Sequence, residues 1–108
     1  MDGFFSDLIN LLNVNFQDDL DSNNFSNGEL TITINPPAIK KIIDFLFDNS
    51  ECQFKTLIDI TAVDFPSRKV RFDVVYHLLS MAQNKRIRIK FEVDETDIIP
   101  SVSSTHFG

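Results

Sequence analysis

TLIDITAVDFPSRKVRFDVVYHLLSMAQNKRIRIK, residues 56–90, is the stretch that decides the predicted fold. It holds three runs rich in β-branched and alternating apolar residues, separated by turn-forming residues, which is typical of consecutive β-strands. We predict strands from about Phe54 to Val63, from Val70 to Leu79, and around residues 86–91. The last run is the clearest, because apolar and basic side chains alternate strictly: Ile87, Ile89 and Phe91 inward, Arg86, Arg88 and Lys90 outward.

The last two strands are predicted to form an antiparallel hairpin whose register the sequence leaves open. A two-residue loop places Asp73 opposite Lys90, which is a favourable cross-strand charge pair. A four-residue loop suits residues 81–84 better but places Asp73 opposite Glu92. Both registers keep the apolar side chains of the two strands on one shared face, as a core requires.

The N-terminal half alternates helix and strand signals. Apolar residues at helical spacing predict a helix over residues 3–13, and the polar stretch 13–28 is predicted to be a loop. Strict alternation predicts a strand from Leu30 to Ile34, and the apolar stripe that follows predicts a helix from Pro37 to Asp48. This strand–helix–strand order permits a parallel pair between residues 30–34 and 54–63, with a right-handed crossover.

These elements predict an α+β fold with two layers. A four-stranded, mixed and mostly antiparallel sheet carries two helices on one face, and its other face is partly polar and available to a partner. We expect a single domain over residues 1–108, in which residues 92–108 form an irregular tail.

Composition excludes several classes of function. A net charge of −6 argues against binding to a nucleic-acid backbone. The single cysteine, Cys52, excludes an intrachain disulfide and a self-contained iron–sulfur cluster, and we expect it to be a structural thiol in a reducing compartment. The N-terminus lacks a signal-peptide pattern and no apolar run approaches the ~20 residues of a membrane span, so we expect a cytoplasmic protein that contacts membranes only through partners.

Asp73 and His77 are the first candidates for a catalytic site, because they share one strand face with Arg86 and Arg88 expected nearby. An acid–base cluster is one interpretation. A cross-strand charge network on a half-exposed sheet is the favoured one, because no serine or cysteine nucleophile accompanies the pair. His106 lies near the end of the chain and is predicted to be a mobile terminal histidine.

Other binding motifs fail on spacing. Asp19, Asp21 and Asn23 alternate as in a calcium loop, but Asn24 and Leu30 occupy the positions that require glycine and glutamate. The chain contains three glycines and no glycine-rich phosphate loop, which excludes a dinucleotide fingerprint. An RNA-binding sheet would expose aromatic residues. Here the strand aromatics fall on the predicted core face: Phe72, Tyr76 and Phe91.

The runs TAVDFP (61–66), RFDVVYHLLS (71–80) and NKRIRIK (84–90) resemble the family of the thirty-kilodalton subunit of respiratory complex I, the proton-pumping NADH-quinone oxidoreductase. The resemblance extends from Leu30 to Val102. It implies a non-catalytic subunit of the hydrophilic arm that docks against the neighbouring subunit that helps to form the quinone site. It also implies that NAD, FMN, the iron–sulfur clusters and quinone belong to partner subunits, so we expect no catalytic, cofactor-binding or metal-binding residues here.

The sequence departs from the family pattern at its C-terminal end. Family members continue past the region of residues 100–102 into a segment with a Glu-Arg-Glu core, which is absent from these residues. The chain therefore looks like a truncated N-terminal domain of the thirty-kilodalton subunit. The resemblance implies a peripheral location on the cytoplasmic side of the inner membrane, or on the matrix side in a mitochondrion. The alternative hypothesis is a free-standing α/β module for protein interaction or regulation.

Overall fold

The structure, a computed structural model, describes residues 3–70 and 72–94. The elements are the helices α1 (Gly3–Phe16) and α2 (Ile39–Asp48), the 3-10 turns Gln17–Asp19 and Pro36–Ala38, and the strands β1 (Leu20–Ser26), β2 (Glu29–Ile34), β3 (Thr56–Asp64), β4 (Phe72–Ser80) and β5 (Lys85–Val93). The predicted α+β class is confirmed, but the sheet has five strands where four were predicted.

The additional strand is β1, within the stretch that was predicted to be a loop. Its sequence, LDSNNFS, lacks an alternating apolar pattern because β1 is an edge strand whose side chains are mostly exposed. A β-turn at Asn27 and Gly28, both with positive φ (55° and 77°), joins it to β2. Asn-Gly is the pair that such a two-residue hairpin turn favours, so this dipeptide was the signal that the prediction missed.

The strands lie in the order β1-β2-β5-β4-β3, and all neighbours are antiparallel except β2 and β5. The parallel pair is therefore not the one that the strand–helix–strand order allowed. After α2 the chain enters β3 at the far edge and returns through β4, so that β5 is the strand placed beside β2. This path leaves β3 with a neighbour on one side only among the described strands.

The hairpin between β4 and β5 has the four-residue loop. Ser80 pairs with Lys85 and Asp73 lies opposite Glu92, while Asn84 takes a positive φ of 53° and donates its amide to the Met81 carbonyl (3.3 Å). The unfavourable acid pair is relieved diagonally, because Lys90 Nζ lies 3.7 Å from Asp73 Oδ2. The loop thus determines the register of β4 and β5, and the side chains of Asp73 and Lys90 pair diagonally within that register.

A β-bulge interrupts β3 between Leu57 and Asp59. The predicted alternation put Leu57 on the same face as Asp59, but the extra residue, Ile58, moves Leu57 to the core side, where it packs against the buried cluster. From Asp59 to Asp64 the pairing with β4 is regular.

One apolar cluster joins both helices to a single face of the sheet. Each element contributes side chains at its own period: Phe5, Leu8 and Leu12 from α1; Ile39, Ile42, Ile43 and Leu46 from α2; Leu30, Ile32, Ile34, Val74, Tyr76, Leu78, Ile87, Ile89, Phe91 and Val93 from the strands. The helices also meet directly, because the Phe16 and Phe45 rings pack edge to face at 5.1 Å. The predicted arrangement of two helices on one face is confirmed.

Several predicted boundaries shift by one to three residues. Helix α1 continues to Phe16, three residues beyond its predicted end, and β5 includes Glu92 and Val93, which were assigned to the irregular tail. The remainder of the predicted tail, residues 95–108 with His106, lies outside the described residues.

Candidate interaction surface

The sheet face opposite the helices, here called the open face, carries rows of polar side chains across neighbouring strands. One row runs from Asp59 through His77 and Arg88 to Thr31, as the strand registers dictate. The flanking rows are centred on Leu79 and on Val75, which are half-buried: Thr56, Leu79 and Arg86; Thr61, Val75, Lys90 and Thr33. Val75 and Leu79 flank His77 on β4, beside the basic row that Arg86, Arg88 and Lys90 form on β5. Apolar and charged side chains together on one uncovered face are typical of a protein interface.

Asp73 anchors one end of the open face. It is only 8% exposed. Its Oδ1 accepts a hydrogen bond from Arg68 Nη2 at 2.6 Å, and its Oδ2 forms an ion pair with Lys90 Nζ. Arg68 also stacks over the Phe65 ring (4.1 Å to its centre) and donates from Nε to the Val70 carbonyl. The loop after β3 is thereby folded back over the sheet and fixed to β4.

His77 and Asp73 do not form a catalytic pair. Residues four apart on a strand are separated by roughly 13 Å, because each residue adds about 3.3 Å. Nε2 of His77 instead lies 3.2 Å from Oγ1 of Thr61, and the Asp73 carboxylate is held by Arg68 and Lys90. Arg88 faces His77 across the hairpin and forms an ion pair with Glu29. Asp73 and Arg88 thus have charged partners, whereas the contact of His77 is to a neutral hydroxyl group.

A shallow cleft of about 320 Å³ opens beside His77. Its walls come from strands β2, β3, β4 and β5: Glu29, Leu30, Ile58, Asp59, Thr61, His77, Leu78, Arg86, Ile87 and Arg88. Arg86 is exposed and has no ion-pair partner among the described residues, whereas Arg88 is paired with Glu29. The cleft combines an apolar margin at Ile58 with charges of both signs.

Strand β3 is exposed to an unusual degree for a nine-residue strand. Three of its large apolar side chains are open to solvent, with Ile58 and Ile60 each 46% exposed and Val63 45% exposed. The helices therefore cover the sheet only as far as β4. The alternating pattern of β3 did not indicate this, because alternation predicts that one face is buried.

Cys52 is buried, as expected of a structural thiol. Burial, with a smaller contribution from the neighbouring Glu51 carboxylate, raises the pKa of the thiol from 9.0 to about 11, which keeps it protonated and unreactive at neutral pH. Its carbonyl accepts a 2.7 Å hydrogen bond from Oγ of Ser80, which is fully buried. The Gln83 amide donates in turn to the same Oγ at 3.2 Å. Sequence reasoning missed this contact, because Cys52 and Ser80 are 28 positions apart.

No group of three or more histidine, cysteine, aspartate or glutamate residues within residues 3–70 and 72–94 has the geometry of a metal site. Asp21 and Asn23 of the rejected calcium motif lie in β1. Tyr76 and Phe91 are buried in the core, where burial raises the pKa of the tyrosine. No helix in the described part of the chain is long and apolar enough to cross a membrane.

Comparison with known proteins gives one consistent result. The family model described as "Respiratory-chain NADH dehydrogenase, 30 Kd subunit" matches residues 32–107. The chain is 51% identical over 79 residues to an NADH-quinone oxidoreductase subunit of Ruegeria pomeroyi, an alignment that covers 73% of this chain and 40% of that protein. It is 53% identical over 85 residues to the corresponding NADH-quinone oxidoreductase subunit of Dinoroseobacter shibae, covering 79% of this chain and 40% of that protein.

The chain thus spans about two-fifths of the length of the curated relatives that it matches. The range matched by the family model begins within β2 and contains α2 and strands β3 to β5, whereas α1 and β1 precede it. Most of the open face, and all of β3, therefore lie in the part that the family shares.

Proposed function

Because this chain belongs to the family of the 30-kDa subunit of the respiratory-chain NADH dehydrogenase, we propose that it acts as a structural subunit of an NADH-quinone oxidoreductase. In this proposal it holds redox subunits of the hydrophilic arm in register, beside the subunit that helps to form the quinone site, while electrons pass from NADH to quinone. Its role is positional, and the catalytic groups are supplied by its neighbours.

The observation that carries this proposal is the uncovered side of the sheet within the family-shared range. On the open face Val75 and Leu79 are half-buried among charged side chains, and β3 exposes three large apolar side chains. Exposed apolar side chains beside charged ones are characteristic of protein interfaces. A subunit whose function is to be packed between neighbours needs such a surface.

Two charged residues of the open face, Asp73 and Arg88, are engaged in ion pairs, which supports a structural role for them. Asp73 is neutralised by Arg68 and Lys90, and Arg88 is neutralised by Glu29. We propose that NAD, FMN, the iron–sulfur clusters and quinone are bound by partner subunits. We further propose that this chain reaches the cytoplasmic side of the inner membrane, or the matrix side in a mitochondrion, through the complex.

The test is affinity purification of the tagged natural full-length protein from its own solubilised membranes, followed by mass spectrometry. We expect recovery of the quinone-site subunit together with the flavin-binding and iron–sulfur subunits, and NADH oxidation by the purified material. Recovery of the protein alone, or with unrelated partners, would contradict the proposal and favour a free-standing interaction module.

A further inference from the structure

The two edges of the sheet differ in chemistry. The outer edge of β1 carries the polar sequence LDSNNFS and only two side chains that pack on the core, Leu20 and Phe25. The outer edge of β3 carries TLIDITAVD, and none of the described strands pairs with it. An unpaired strand edge presents a row of backbone donors and acceptors that another strand can occupy.

Strand β3 lacks most of the devices by which proteins protect such an edge, although Asp59 Oδ1 accepts a hydrogen bond from the Ile60 amide at 2.8 Å. It contains no proline and no lysine or arginine, and it is nine residues long. Its bulge lies at Ile58, near its start, so that residues 59–64 form a regular run. Along that run Ile60 and Val63 remain about half exposed, on opposite faces of the strand.

The acidic residues of β3 indicate what kind of partner segment fits its edge. The only ionisable residues of β3 are Asp59 and Asp64, and Asp59 is exposed and faces the open side of the sheet. Cross-strand pairs of opposite charge stabilise a sheet and like charges destabilise it. A second copy of β3 would bring further aspartates and no basic residue, so a segment of another protein that carries lysine or arginine is the better complement.

We propose that residues 59–64 of β3 accept an extended segment of a partner subunit as a sixth strand, with a basic residue of that segment facing Asp59. The backbone of the added strand pairs with the edge and replaces the Asp59 carboxylate at the Ile60 amide, so that the carboxylate can face the basic residue. The β-branched or aromatic residues of the added strand cover Ile60 and Val63, and its basic residue fixes the register of pairing. This inference rests on the proposed function and names the chemistry of one contact within it.

The test uses the full-length natural protein in its assembled complex. The photoreactive residue p-benzoylphenylalanine replaces Ile60 on β3, and in a matched control it replaces the exposed Asn23 on β1. Crosslinked peptides are sequenced by mass spectrometry. We expect Ile60 to capture one segment of another subunit that contains alternating apolar residues and a lysine or arginine, with a yield about tenfold above Asn23, as expected for a specific site against random contact.

A charge reversal tests the basic residue of the partner. Asp59→Lys should lower the retention of the crosslinked subunit by about tenfold, and exchange of the captured basic residue for glutamate should restore it. Asp21→Lys on the β1 edge is the matched control and should leave retention unchanged. Restoration by the swapped pair separates a direct contact from a loss of folding.

Three results would overturn the proposal: crosslinks from Ile60 to any other part of the same polypeptide, crosslinks to β3 of a second copy, or a yield no higher than at Asn23. The affinity purification is scored separately on the unsubstituted protein. If the oxidoreductase subunits are recovered but the Ile60 crosslink fails, only the edge contact is wrong. If none of those subunits is recovered, the proposed function itself is wrong.

Discussion

Removing the Ser80 hydroxyl isolates the contact that joins β4 to the connection before β3. Ser80 is fully buried, and its Oγ donates a 2.7 Å hydrogen bond to the carbonyl of Cys52, itself only 2% exposed. Ser80→Ala leaves that carbonyl without its donor in a site that water does not reach. An unsatisfied buried polar group of this kind costs about 1–3 kcal/mol. The Gln83 amide also loses its acceptor, but it lies near the surface and can bond to water.

The assay is urea unfolding of the 108-residue chain, followed by the fluorescence of its single tyrosine, Tyr76, in a protein without tryptophan. We expect Ser80→Ala to lower the free energy of unfolding by about 1–3 kcal/mol, with a fall in melting temperature of about 4–8 °C per kcal/mol. Ser22→Ala, an exposed serine on β1, is the matched control and should change stability by less than about 0.5 kcal/mol.

Hydrogen exchange gives the second readout, because the Cys52 carbonyl lies just before β3. Loss of the bond should speed amide exchange in β3 and leave exchange in β2 unchanged. A change below about 0.5 kcal/mol, equal to that of the control, would refute the reasoning, since it would mean that the carbonyl has another donor or access to water.

Three further predictions address the thiol, the loop and the core. The pKa of Cys52, raised to about 11, predicts slow alkylation of the folded chain at pH 8. The contribution of this thiol to the free energy of unfolding should be constant below pH 9 and fall between pH 9 and 11, because the thiol of the unfolded chain loses its proton there and that of the folded chain does not; urea titrations at several pH values will show this. Arg68→Ala should lower stability by about 1–2 kcal/mol and increase proteolysis of the loop after β3, whereas Lys69→Ala, its exposed neighbour, should do neither. Leu78→Ala, at a fully buried position, should cost about 2–5 kcal/mol in urea unfolding, against less than about 0.5 for Met81→Ala, which is 77% exposed.

The elements with strong local periodicity could be predicted from the sequence. Strand β5 and helix α2 each bury one face, and their apolar residues repeat at the period of the element, so pattern and structure agree. The class of the fold and the side on which the helices pack follow from those patterns. Strand β1 could not be found in this way, because an edge strand with exposed side chains is held by its backbone bonds to β2 and needs no apolar alternation.

The charged residues of the open face could be identified from the sequence, but the residues that pair with them could not. Asp73 and His77 were assigned to a charge network, yet the cation that holds Asp73 most closely is Arg68, on the loop that residues 65–70 form. Its partner depends on how that loop folds back, which no periodicity encodes. The Glu29 partner of Arg88 depends in the same way on the parallel pairing of β2 with β5, two strands that are distant in the sequence.

The exposure of β3 is the strongest link between this fold and an interface. Burying an aliphatic side chain of this size fully stabilises a protein by about 1.5–3 kcal/mol, and Ile58, Ile60 and Val63 each leave nearly half of their surface in water. Together they leave about 2–4 kcal/mol of apolar burial unused by the described chain. A solvent-facing edge strand would carry polar residues at these positions, as β1 does. The apolar sequence of β3, within the range that the family shares, therefore fits a strand that is covered by residues beyond those that the structure describes.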